Sequence, residues 1–254
     1  MTVRHDIHSS GIPAYCLSCQ ARRRGLCSAL DPDRLAKLAK TSSRHSVEPG
    51  VELIGDAEAL NSYSNVLSGV VKLTKSLSDG RQQIVGLQFA PDFLGQPFKA
   101  KSAIHAEAAT RVSLCSFPKA AIEQMMKQSP ELEHRLLRQT LNELDEAREW
   151  MVTLGCKTAP EKVASFLLMI ARNIGSSVGP AARSACFDLP LTRADISDFL
   201  GITNETVSRQ LTRLRMDGVI RIENNRRVTV DNMSRLEQRC GGRRPGRNRP
   251  IYET

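Results

Sequence analysis

Residues 191–218 read LTRADISDFLGITNETVSRQLTRLRMDG, and this stretch decides the fold. Thr192 and Asp195 have the spacing of a capping box at a helix start. Ile196, Phe199 and Leu200 give that helix an apolar face, and Gly201 permits a tight turn. Thr203 caps a second helix whose core face is Val207, Leu211 and Leu214. The pattern is a helix-turn-helix, with Ile196, Leu200 and Val207 fixing the angle and small Ser197 and Gly201 at the crossing. Asn204, Glu205, Ser208, Arg209 and Thr212 point outward near the second helix's N-terminal end, the part that enters a major groove in this motif. Arg209 suits a bidentate grip on guanine, and Glu205 suits a cytosine amino group. Thr203, Thr206, Arg213 and the helix N-terminus suit phosphates. Val219 to Ile222 and Arg227 to Val230, around Asn224-Asn225, predict a small hairpin, a wing. An exposed polar helix face needs no ligand to explain it. Here the charge, the pattern and the residue types agree on DNA.

Upstream, Thr158 and Glu161 form a second capping box, and Val163, Phe166, Leu167 and Ile170 share one helix face. Asn173 to Ser184 is rich in Gly, Ser and Pro and reads as a loop. A long helix begins after Ser129, with Pro130 in its first turn and Glu131 at the positive end of its dipole. Leu137, Leu141, Leu144 and Met151 recur at near-heptad spacing with Ala147 and Leu154 beside them; Glu133, Arg138, Asp145 and Glu149 take the other side. Such a stripe either packs on its own domain or forms a seam between two subunits, and its length and period favour the seam.

Residues 44–117 read as short strands. Val66 to Leu77 and Gln82 to Phe89 are rich in Val, Leu and Ile, with an Asp79-Gly80 hairpin signal between them and a further turn at Glu48-Pro49-Gly50. A helix starts at Asp31, with Pro32 at its first position and Leu35, Leu38 and Ala39 on one face. The expected class is α+β: a cysteine-rich irregular segment (1–29), a strand-rich sandwich or β-roll (30–128), a dimerisation helix (129–156), a winged helix-turn-helix (157–236) and a basic disordered tail (237–254).

The formal net charge of +9 suits a polyanionic partner, because Lys and Arg that neutralise phosphates release counterions. No apolar run is long enough to span a bilayer, and the first residues lack a secretory pattern, so a cytoplasmic protein is expected. Seven cysteines, an odd number, argue against a disulfide scaffold and for metal ligation by any cluster of them. Cys16, Cys19 and Cys27 have the spacing C-x2-C-x7-C, and a four-cysteine site needs one more ligand, for which Cys115 is the candidate. Spacing alone does not choose iron–sulfur over zinc. Cys156 and Cys186 read as small buried hydrophobes, and Cys240 has no interpretable context. The histidines are scattered and no Gly-rich nucleotide loop is present, which speaks against an enzyme or an iron–sulfur electron carrier.

On these residues the chain resembles the CRP-FNR superfamily of bacterial regulators, in its FNR/FnrN branch, from about Cys16 to about Val230. Three segments carry the resemblance: Cys16-x2-Cys19-x7-Cys27 with distant Cys115; Gly69-Val70-Val71-Lys72 through Asp79-Gly80-Arg81 to Val85-Gly86-Leu87 and Gly95; and Glu205-Thr206-Val207-Ser208-Arg209. The resemblance implies a β-roll of the double-stranded β-helix, cupin-like type. It implies a 4Fe–4S cluster on the four cysteines that favours the homodimer and DNA binding when oxygen is low. It further implies a TTGAT/ATCAA-type palindrome read by Glu205, Ser208 and Arg209, and an RNA polymerase contact near Asp79-Gly80-Arg81. The region from Gly95-Gln96-Pro97-Phe98 to Lys101-Ser102 lacks the Arg-Ser pair of the cyclic-nucleotide members, so no cyclic nucleotide is expected.

Overall fold

The computed structural model describes residues 12–55, 59–175 and 183–241; of the expected disordered tail (237–254), residues 242–254 lie outside the described residues, and its start is instead helical as far as Gln238, while the middle of the Asn173–Ser184 loop also lies outside them. The chain divides into two units, residues 1–149 and 150–254. The boundary falls inside the long helix expected to be a separate element.

The first unit opens with three short helical turns: α1 (Ala14–Leu17), α2 (Gln20–Arg23) and a 3-10 turn over Leu26–Ala29. The expectation of an irregular segment is corrected here. Each turn is closed by its own backbone bonds, such as Cys16 N to the Pro13 carbonyl at 2.9 Å and Arg24 N to the Gln20 carbonyl at 2.8 Å. Four-residue turns are too short to print a hydrophobic period on the sequence. Helix α3 (Pro32–Thr41) follows; Asp31 caps it by accepting from Arg34 N at 2.8 Å, and Leu35, Leu38 and Ala39 are buried.

The strands then come in order: β1 (Ser43–Val47), β2 (Glu52–Ile54), β3 (Ser62–Ser68), β4 (Val70–Ser76), β5 (Gln82–Phe89), β6 (Phe93–Leu94), β7 (His105–Ala108) and β8 (Val112–Pro118). They form two antiparallel sheets, β1-β8-β3-β6 and β2-β7-β4-β5. The apolar run from Val66 is split at Gly69, whose φ is 87° and where a Cβ would stand 2.3 Å from the Arg111 carbonyl oxygen. Only glycine fits there, so the chain turns from one sheet into the other.

Period-two alternation then builds two cores. Val66, Val71, Leu94, Ala106, Ala108, Val112 and Leu114 fill one of them, drawn from strands of both sheets. The alternate residues Tyr63, Cys115 and Phe117 fill a second core with Leu26, Cys27, Leu35, Leu38, Ile122, Met126 and Leu132. Helix α4 (Lys119–Gln128) supplies Ile122 and Met126, and α5 (Pro130–Cys156) begins with Leu132. Ser129, fully buried before α5, takes a bond from Arg34 at 3.3 Å and gives one to Glu131 at 3.2 Å.

Beyond this start one face of α5 is exposed. Leu137, Leu141, Leu144 and Met151 are 54%, 50%, 43% and 71% exposed, and Ala147 is exposed with them, so the stripe is not packed against the chain's own core. Cys156, at the end of α5, is exposed too; the expectation of a buried hydrophobe there is corrected, because the last turn buries Thr153 and turns Cys156 outward.

The second unit contains α6 (Ala159–Ile174), β9 (Ala185–Asp188), α7 (Arg193–Leu200), α8 (Asn204–Met216), β10 (Arg221–Glu223), β11 (Arg227–Val230) and α9 (Met233–Gln238). Both capping boxes form: Glu161 accepts from Thr158 N at 2.8 Å, and Asp195 accepts from Thr192 N at 3.0 Å. Phe166 and Phe199 meet at 5.9 Å between ring centroids, and Trp150 meets Phe199 at 4.6 Å. The wing is a three-stranded sheet, β10-β11-β9. Strand β9 was not expected: its four residues are too few to show alternation, and Phe187 and Cys186 find partners only through pairing with Val228 and Thr229. Cys186 is accordingly half-buried on a strand. Among the described residues, no helix is long and apolar enough to cross a membrane.

Candidate nucleic-acid interface and cysteine site

The two reading helices are set by α7, Gly201 and α8. Gly201 adopts φ 61°, the left-handed cap that ends α7, and Ile202 N returns to the Ser197 carbonyl at 3.3 Å. Thr203 starts α8 by accepting from Thr206 N at 3.2 Å. Val207, Leu211 and Leu214 are buried, which turns Asn204, Glu205, Ser208, Arg209, Thr212 and Arg213 outward, all exposed. Thr206 is half-buried, and its hydroxyl lies 2.8 Å from that of Thr203, so part of its polar capacity is spent on the cap.

Arg209 and Glu205 form an exposed ion pair at 3.0 Å, one helical turn apart. An exposed pair of this kind is worth well under about 1 kcal/mol, so it breaks readily when base edges compete for both groups. The wing hairpin turns through Asn224 and Asn225 at φ 50° and 57°, as a tight primed turn requires. Arg193 on α7 donates to the Asn225 carbonyl at 3.2 Å and so fixes the wing against the motif.

Two substitutions separate base reading from backbone grip. Arg209→Ala should cost about 1–3 kcal/mol, mainly at one position of the cognate site. Arg213→Ala should weaken all sequences alike and flatten the dependence of binding on salt. Titrations of cognate and scrambled duplexes at several salt concentrations distinguish them. An equal loss on both duplexes for Arg209→Ala would make that residue a phosphate contact.

The four cysteines picked out by spacing lie in the first unit. Cys16 is on α1 and half-buried, Cys19 precedes α2 and is half-buried, and Cys27 sits in the 3-10 turn, buried. Cys115 is buried in the middle of β8, the strand flanked by β1 and β3. They are near enough for their charges to be felt: Cys16 and Cys27 each respond to Cys115 and to Cys19, and Cys115 responds to Cys19. Burial is the main reason that the Cys16 thiol is pushed up to about 11 and the Cys27 thiol to about 12, with the Cys115 thiol raised as well. Left alone, such thiols stay protonated and unreactive; a metal centre has to displace the protons. Among the described residues, no three His, Cys, Asp or Glu side chains converge on one point as a single ion requires.

Two residues beside the cysteines gave no sequence signal that was read. Arg44 and Asn65 are the direct cross-strand partners of Cys115, on β1 and β3. Arg44 donates to the Tyr15 carbonyl at 3.2 Å and lies 4.5 Å from the centre of the Tyr15 ring, which pins α1 to the sheet. Asn65 is 1% exposed, and its Nδ2 is 3.3 Å from the Cys27 sulfur. The available signal was a lone asparagine in a run of buried strand residues. Of the other cysteines, Cys240 is half-buried, with its sulfur 3.3 Å from the Leu236 carbonyl.

Comparison with known proteins agrees with both halves. A Crp-like helix-turn-helix domain matches residues 161–239, and a cyclic nucleotide-binding domain matches residues 44–129. A probable transcriptional activator of Rhizobium leguminosarum bv. viciae is 51% identical over 92% of this chain and 97% of its own length. The transcriptional activator protein FnrL of Cereibacter sphaeroides is 41% identical over 89% of this chain and 92% of its own. The structure of FixK2 from Bradyrhizobium japonicum superposes with a TM-score of 0.72 at 30% identity, covering 80% of this chain and 99% of that one. An antiparallel β-sandwich, a long helix and a winged helix-turn-helix together define a DNA-binding transcription regulator. The chain belongs to the CRP-FNR superfamily, among regulators of the FNR and FixK type.

Proposed function

We propose that this regulator senses oxygen through a 4Fe–4S cluster held by Cys16, Cys19, Cys27 and Cys115, and that the held state favours a homodimer bound to a TTGAT/ATCAA-type palindrome. The observation that carries the reading is that four thiols from a helical loop and a central strand, two buried and two half-buried, lie within electrostatic reach of one another. The donor set fits: all-thiolate ligation suits iron–sulfur clusters, and a cluster spreads its thiolates over several irons where zinc draws four to one ion. When bound, the cluster supplies oxygen-sensitive redox chemistry; the rest is done by the chain.

Cys27 and Cys115 share their core with Leu132, and Leu136 packs against it. Arg135 reaches back from α5 to the Arg24 carbonyl, inside the loop between Cys19 and Cys27. Order in the cysteine loop is thereby coupled to the start of the helix whose next turns expose Leu137, Leu141 and Leu144. A modest preference of the dimer for the ordered loop suffices to shift an association balanced near its midpoint. The exposed Asp79-Gly80-Arg81 turn, where Arg81 and Asp79 pair at 2.8 Å, is the proposed RNA polymerase contact. A cyclic nucleotide is not part of the reading, and the protein is proposed to work in the cytoplasm.

The test is an absorption spectrum of protein purified without oxygen, followed by air, with operator binding measured in parallel. A brown protein that bleaches in air and releases DNA is expected. A colourless protein would overturn the reading, in favour of zinc if air leaves DNA binding unchanged and of a thiol switch if air still alters it.

A further inference from the structure

The sheet lays out a row across the cysteine site. In the register, Arg44 faces Cys115 on one side and Asn65 faces it on the other. Directly paired residues project to one face of a sheet, so Asn65 stands on the face where the cysteine loop sits. There its Nδ2 is 3.3 Å from the Cys27 sulfur.

The surroundings make this an expensive place for an amide. Asn65 is 1% exposed, its chain neighbour Val66 is fully buried, and its Oδ1 has no hydrogen-bond partner among the described residues. Asparagine is disfavoured in strands, and a half-satisfied buried amide costs more than an apolar side chain of the same shape. The fold alone is better served by leucine. What the amide does that leucine does not is offer an N–H group to the Cys27 sulfur. A hydrogen bond to a charged acceptor is stronger than one between neutral groups, and a thiolate bound to a metal centre is such an acceptor.

We propose that Asn65 is a positioning residue of the cysteine-held centre: its amide donates to the Cys27 sulfur, holds the 3-10 turn against β3, and stabilises the more electron-rich state of the centre. The inference rests on the cluster reading above. Hydrogen bonds to the sulfurs are one of the levers that set the potential of such a centre. Removing the donor therefore makes the centre easier to oxidise.

The experiment compares the wild-type chain with Asn65→Leu, which matches the shape, and Asn65→Ala, each loaded with iron and sulfide without oxygen. Three quantities are read: the reduction potential of the one-electron couple, the rate of bleaching in air, and the melting temperature of the metal-free protein. The expected result for both variants is a bias of roughly tenfold towards the oxidised form, which equals about 59 mV more negative for one electron. Faster bleaching should accompany it. Metal-free Asn65→Leu should melt no lower than wild type, because a half-satisfied amide has gone. Folded variants that hold no cluster also support the positioning role. Loaded variants with the wild-type potential and bleaching rate overturn the inference and leave the cluster reading standing, as do variants that melt lower with the potential unchanged. A wild-type chain that takes up no cluster overturns both.

Discussion

Cys115→Ser should yield a folded, colourless protein that no longer distinguishes air from its absence. Three of the four cysteines come from one short loop, and Cys115 alone comes from the sheet. It is 8% exposed and fixed by pairing on both sides, and the other cysteines described in the first unit are the three loop candidates themselves, so none of them is spare to replace it. A serine hydroxyl is a poor ligand for iron at neutral pH, so cluster content should fall to near zero rather than by a fraction. The fold should survive, because burying a hydroxyl in place of a thiol costs about 1–3 kcal/mol, within the stability of an ordinary domain. Cys156→Ser, Cys186→Ser and Cys240→Ser should keep a wild-type spectrum. Iron analysis and visible absorption of the four variants check this together. A normal cluster in Cys115→Ser would remove it as the fourth ligand.

The contrast between the two sites shows what a single sequence carries. The DNA-reading motif was legible to the residue because every signal in it is local. A cap, an apolar period of 3.6 and a left-handed glycine all fall within 28 residues, and Thr192, Gly201 and Thr203 do in the structure what their spacing implies. Of the proposed cysteine site only the four cysteines themselves were legible, because cysteine is rare and its spacing stands out. Asn65 and Arg44 lie far in sequence from Cys115 and meet it only through strand register, which composition does not encode. Strand β9 and the short helices α1 and α2 were missed for a related reason: four residues cannot display a period. The burial of Cys156 was misjudged because a lone cysteine usually packs as a hydrophobe, whereas this one lies on the outward face of its helix's last turn.

Leu144→Glu should give a subunit that folds and assembles its cluster normally but fails to dimerise and binds its operator roughly 10²–10⁴-fold more weakly. In the single chain Leu144 is 43% exposed and absent from the buried core, so a charged replacement costs the subunit little. Across a two-fold axis the same replacement sets two carboxylates against each other in a desolvated seam. The neighbourhood is already poor at accepting negative charge. Burial raises the carboxyl of Asp92, before β6, to about 6, and the charge of Glu143 adds to that; the Glu143 and Glu146 carboxyls on α5 are raised too, by partial desolvation and by a neighbouring carboxylate. The loss of operator affinity follows because the two half-sites of a palindrome are bound together, and a monomer forfeits that gain without losing one contact of α8. Single-half-site DNA should therefore bind Leu144→Glu and wild type alike. Sedimentation of the anaerobic variant beside its absorption spectrum measures both parts, and a dimer with an intact cluster would place the seam elsewhere and remove α5 as the link from cysteine loop to DNA.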